Sequence, residues 1–124
     1  MVGGGGLMRT DLTAEIAGCR VRAVVTAAAL VEIEEARGDF ADVVRRVSVG
    51  GVRDIRAVLA ACIRAAGELR PAEVETEVAR LIEAGGIKAA SDFASRLLGD
   101  AWDKAETAGK KSEAAAAAGT TAAA

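Results

Sequence analysis

Residues 12–40, LTAEIAGCRVRAVVTAAALVEIEEARGDF, decide the fold. If the chain reverses at Ala17-Gly18, Ile16 faces Cys19, Ala14 faces Val21 and Leu12 faces Ala23. The intervening positions then pair Glu15 with Arg20 and Thr13 with Arg22. One face is apolar and the other polar with opposite charges across from each other, which is the alternation a half-buried antiparallel pair needs. A slip of one residue would mix the faces, so the pattern specifies its own register. The turn is the weak part, because a tight two-residue hairpin asks for positive φ at both positions and Ala17 supplies it poorly. Two strands alone are marginal in water, so the hairpin must lie on helices.

Those helices follow directly. Thr26 is an N-cap candidate for a helix running to Arg37 and stopped by Gly38. Asp39 can cap a second helix through Val47, with Phe40, Val43, Val44 and Val47 at helical spacing. After the Gly50-Gly51 break, Val52 to Ala66 carries the clearest stripe, Val52, Ile55, Val58, Leu59 and Ile63, and Gly67 ends it. Pro71 opens a fourth helix with Glu73, Glu75 and Glu77 in its early turns and Val74, Val78, Leu81 and Ile82 as its stripe. Gly85-Gly86 stops that helix. A fifth is expected from Ile87 to Glu106, facing inward through Ile87, Ala90, Ala94, Leu97, Leu98 and Ala101. The fold class is therefore α+β, mainly α: an N-terminal two-stranded antiparallel hairpin packed on a bundle of about five short helices.

With 124 residues the chain fits one domain. Residues 1–8 read as a flexible glycine-rich start, 9–106 as the globular unit, and 107–124 as a disordered alanine-rich tail with no large apolar residue to bury. Aromatic residues are scarce (Phe40, Phe93 and Trp102), so Val, Ile, Leu and Ala must build the core. Cys19 and Cys62 share no metal-type spacing and read as small buried hydrophobes, with a disulfide between them as the alternative. No signal-type h-region opens the chain and no run of about eighteen apolar residues could span a bilayer, so the expected location is a reducing cytoplasm.

Chemistry is nearly absent. There is no histidine, neither cysteine has a partner that would activate it, and the glutamate runs read as solvated helix faces. The Gly3–Gly6 run lacks the Lys-Ser/Thr of a phosphate loop. The expectation is a protein without enzymatic activity, cofactor or metal. Arg45, Arg46, Arg53, Arg56 and Arg64 flank a glycine turn as a helix-turn-helix would, but few side chains there read base edges and the net charge is −2. Nucleic acid is a poor fit as partner. Glu34 falls between Leu30 and Val31 on a helical wheel and needs a counterpart there. The local candidate is Arg37; the alternatives are Arg20 or Arg22 of the hairpin, or a partner protein.

The hairpin followed by TAAALVEIEEARGDFADVVRRV (26–47), a glycine break and DIRAVLAACIRAAG (54–67) resembles the small tail assembly chaperones of gene transfer agents and related prophages. The family's T-x-x-A-L-x-E-[LI]-E-E helix is matched by Thr26, Ala29, Leu30, Glu32, Ile33, Glu34 and Glu35, with Gly38 at its end. Its later arginine–glycine-ended helix is matched by Ile55, Val58, Leu59, Ala61, Ile63, Arg64, Ala66 and Gly67. The resemblance covers about residues 10–103. The chain departs from it at the turn, where Ala17-Gly18 stands for Asp-Gly or Asn-Gly, and at Ala27-Ala28.

The resemblance implies a chaperone that binds the tail tape-measure protein, brings tail-tube subunits to it, works in the bacterial cytoplasm and is not retained in the mature particle. It leaves a homo-oligomer open. Tape-measure segments are long amphipathic helices, so the expected binding surface is an aliphatic face of the last helix: Phe93, Leu97, Leu98 and Trp102. The competing readings are a structural tail or connector component and, more distantly, a small DNA-binding prophage regulator.

Overall fold

The computed structural model describes residues 9–123, and the side chains of residues 9–105. The glycine-rich start at 1–8 lies outside the described residues, and so do the side chains of the expected tail. β1 (Arg9–Ile16) and β2 (Cys19–Thr26) pair antiparallel in the expected register, with Ile16 opposite Cys19, Ala14 opposite Val21 and Leu12 opposite Ala23. Ala17 and Gly18 both take positive φ, 53° and 78°, the left-handed backbone that a two-residue hairpin turn demands. An alanine there is strained, and Ala17→Asn should raise stability by about 0.5–1 kcal/mol by removing that strain. The urea midpoint reads it; an unchanged or lower midpoint would mean the turn stores no strain.

Four helices follow: α1 (Ala27–Arg37), α2 (Phe40–Ser48), α3 (Val52–Ala66) and α4 (Pro71–Ala123). Four replace the expected five because α4 continues through Gly85-Gly86. It is nonetheless interrupted at Gly86, whose φ of 88° and ψ of 161° are not helical. The boundaries come from local chemistry. Thr26 Oγ1 accepts the Ala29 N–H at 3.1 Å and starts α1. Gly67, left-handed at φ 75°, ends α3. Pro71 is the first residue of α4, and Glu73 reaches back to accept the Arg70 N–H at 2.8 Å. Asp39 does not cap α2 with its side chain. Another free amide at this helix start is met by Glu34, whose carboxylate accepts the Phe40 N–H at 2.9 Å.

α3 is the centre of the molecule. Ile55, Val58, Leu59, Ala60, Ala61, Cys62 and Ile63 are all buried, because the hairpin, α1 and α4 each pack on it. The hairpin contributes Ile16, Val21, Ala23 and Val25; α1 contributes Ala29 and Ile33; α2 contributes Val43 and Val47. α4 closes the core with Val74, Val78, Leu81, Ala90, Phe93, Ala94, Leu97, Leu98 and Ala101. Each fully buried Val, Leu, Ile or Phe side chain contributes about 1.5–3 kcal/mol over leaving it in water, enough to hold a hairpin that is marginal alone. Thr10, also buried, donates to Asp100 at 2.9 Å and ties the start of β1 to α4.

The cysteines divide. Cys62 is buried, and that burial, helped by the Glu32 charge, pushes its thiol up to about 12. Cys19 is exposed beside the turn, against the expectation of a buried hydrophobe. On the polar strand face Glu15 and Arg20 stand opposite each other without forming an ion pair among the described residues. Arg22 carries the linkage: it binds Asp11 through two bonds of 3.0 and 2.6 Å and reaches Glu68 after α3 at 3.0 Å. That hydrogen bond holds the Asp11 carboxyl below its usual range despite partial burial.

Candidate partner-binding groove

Among the described residues no group of His, Cys, Asp or Glu is placed to hold a metal, and no helix is long and apolar enough to cross a membrane. The polar clusters that exist are structural. Glu34 meets neither Arg37 nor Arg20 nor Arg22; exposed at the end of α1, it stitches α1 to α2 through Phe40. The apolar arc that posed its problem does not exist, since Val31 beside it is 54% exposed. Arg37 instead donates to Asp54 at 3.1 Å, and Arg46 donates to the same carboxylate through two bonds of 3.0 Å. Arg46 also donates to the Arg37 carbonyl at 2.5 Å.

This pairing removes most of the cations that would meet nucleic acid. Arg45 pairs with Asp42, Arg64 with Glu32, and Arg56 with Glu75 at 3.4 Å. The hollow between α1 and α3 that collects Arg37, Arg53, Arg56 and Arg64 is correspondingly lined by Glu32 and Glu75 as well.

The feature with the surface chemistry of a docking site lies along α2. α2 runs antiparallel to the later part of α4: Phe40 stacks on Trp102, Ser91 donates to the Val47 carbonyl at 2.7 Å, and Gly50 lies beside Ile87. The Phe40 and Trp102 rings are 5.4 Å apart and 17° from parallel, a normal stacked pair. Beside this stack opens a groove of about 380 Å3, within the range of small binding clefts. Besides the stacked pair, Val44 and Leu98 line it, with Ala41, Gly99 and Asp103 completing the lining. Its walls are apolar apart from Asp103.

The sequence candidates fall on both sides of this surface. Trp102 is 54% exposed and forms one wall. Phe93, Leu97 and Leu98 are buried in the core, and of these Leu98 alone lines the groove, as its base. They are inward-facing because α4 turns its aliphatic stripe to α2 and α3. Phe40, stacked on Trp102, and Val44 also line the groove and are absent from the sequence candidates. Their signal was present in the i, i+4 spacing of two large apolar residues on a short helix.

The family model described as "Phage tail tube protein, GTA-gp10" matches residues 9–104, from the first residue of β1 to just beyond the groove. The chain belongs to that family, and is a protein of phage or gene-transfer-agent tails. No curated protein and no solved structure matches it.

Proposed function

We propose that this chain is a non-enzymatic tail assembly chaperone, which holds helical segments of the tape-measure protein while tail-tube subunits assemble on them in the host cytoplasm. The observation that carries the reading is the open Phe40–Trp102 groove on a helical face. An amphipathic helix lays its apolar side into a groove of this kind, and a half-exposed tryptophan is a frequent anchor of such contacts. Tape-measure segments exposed before assembly need that stripe covered.

A second reading, a structural component of the tail, is favoured by the family's description as a tail tube protein. The two differ in the fate of the chain. Co-expression with the tape-measure protein of the same gene cluster should give a soluble complex that Trp102→Ala weakens without unfolding the chain. If the tape-measure protein stays insoluble and nothing co-purifies, the chaperone reading fails. Recovery of the chain in purified particles, at a fixed ratio to the tube subunit, would establish the structural reading.

A further inference from the structure

Gly99 has no reason inside the fold to be glycine. Gly18, Gly38, Gly50, Gly67 and Gly86 take positive φ, whereas Gly51 and Gly85 are pressed by neighbouring atoms. Among the glycines of residues 9–105, Gly99 alone has neither property: it is helical, exposed, and a Cβ built on it would meet nothing within 4 Å. Glycine inside a helix is disfavoured against alanine, so the position gives up stability without an internal return. It lies in the groove lining, beside Leu98 and one turn from Trp102 and Asp103. A missing side chain there lets another backbone come close to α4.

The charges at the groove point the same way. No Lys or Arg lines it, and Asp103 forms no ion pair among the described residues. Asp39, exposed, immediately precedes Phe40. The chain as a whole carries a net charge of −2. A guest with basic residues beside its apolar face is the complement.

We propose that the groove seats an amphipathic helix of a partner protein, which crosses α4 at Gly99, inserts an aliphatic side chain between Val44, Leu98 and Trp102, and sets Lys or Arg against Asp103. This names the partner chemistry of the chaperone reading and rests on it for the partner's identity.

Trp102 is the single tryptophan of the chain, so its emission reports the groove directly. The probe is a synthetic peptide of roughly 18 residues, long enough to be helical when bound, with a leucine–alanine face and lysine flanks; its control keeps the face and carries glutamate flanks. The lysine peptide should shift Trp102 emission to the blue and saturate, and the glutamate peptide should bind at least about tenfold more weakly. Asp103→Lys should invert that preference. Gly99→Ala should raise the melting temperature by about 4 °C. The same variant should bind the lysine peptide about tenfold more weakly, because a methyl then stands in the crossing point.

The proposal is overturned by any of three results: no emission change with the lysine peptide, equal affinity for both peptides, or undiminished binding by Gly99→Ala. Self-association that rises with concentration and disappears in Trp102→Ala also overturns it, since a second copy would then occupy the groove. If the peptide binds as described but no tape-measure complex forms on co-expression, the chaperone reading falls and the groove's chemistry stands.

Discussion

Asp54→Ala should lower the stability of the fold by about 3 kcal/mol, at the lower end of what breaking a buried ion pair costs. Asp54 is only 3% exposed, in the first turn of α3, where a carboxylate also suits the helix dipole. Its two oxygens take three hydrogen bonds, one from Arg37 in the last turn of α1 and two from Arg46 in the last turn of α2. Two helix C-termini and one helix N-terminus thus meet on one carboxylate. Removing it leaves both guanidinium groups without their main acceptor. Their side chains are 31% and 39% exposed, however, and can turn partly to water, which keeps the loss from the upper end of the range. Asp54→Asn should cost less than alanine but well over 1 kcal/mol, since the amide cannot accept from both arginines without presenting its own N–H donors to one of them. Urea unfolding with an unchanged slope and a lower midpoint is the expected record. A loss under about 0.5 kcal/mol for alanine would place the network among ordinary surface pairs and refute its role.

The same carboxylate sets an acid limit. Burial works to raise its pKa, but the hydrogen bonds from Arg46 and Arg37 outweigh that and hold it below the usual carboxylate range. A group depressed in the folded state binds its proton more readily when unfolded. Its stabilisation is therefore complete above the unfolded value of about 4 and is lost as the pH falls through the folded one. Asp11, beside Arg22, and Glu77, beside Arg80, are lowered in the same direction. Wild type should lose stability steeply on acidification below about pH 4, and Asp54→Asn should show a shallower slope there because one of three depressed groups is gone.

How much of this was legible depends on the range of the interaction. The hairpin register follows from period-two alternation over a dozen residues, and Thr26, Gly38, Gly67 and Pro71 mark helix ends through bonds to near neighbours. Those signals are local, and the structure follows them. Asp54 looked like an ordinary first-turn acid of an amphipathic helix, and nothing in the spacing of Arg37 and Arg46 says that they converge on it. Only the packing of three helix ends does so. Glu34 differs from its sequence reading for a related reason: the wheel treats α1 as a helix with one buried arc, whereas α1 buries only Ala29 and Ile33 and leaves Val31 in water. The groove was half legible. Trp102 stood out by composition, but Phe40 had to be brought to it by the antiparallel course of α2 and α4.

Gly85 is the position where a reading as punctuation most understates the consequence. Gly85-Gly86 suggests a pair of helix breakers, yet the two glycines do different things. Gly86 supplies a backbone with positive φ. Gly85 supplies space: a Cβ built there would collide with Cγ2 of Ile16, the last residue of β1, which is itself 5% exposed. Because isoleucine is β-branched and stiff at χ1, that methyl cannot swing aside, so the hairpin tip or α4 has to move. Gly85→Ala should therefore destabilise by about 2 kcal/mol, an overpacking cost that outweighs the roughly 1 kcal/mol by which alanine favours the helix. The contrast with Gly99→Ala, where the same substitution meets open space, isolates the contact from helix propensity. Ile16→Ala alone should cost about 3 kcal/mol through the cavity it leaves. The double variant should be more stable than the sum of the two losses allows, by at least about 1 kcal/mol, because the new methyl at residue 85 enters the space vacated at residue 16. Strict additivity in the double-mutant cycle would show that the hairpin tip does not rest on Gly85, leaving the Thr10–Asp100 end to dock the strand pair on α4.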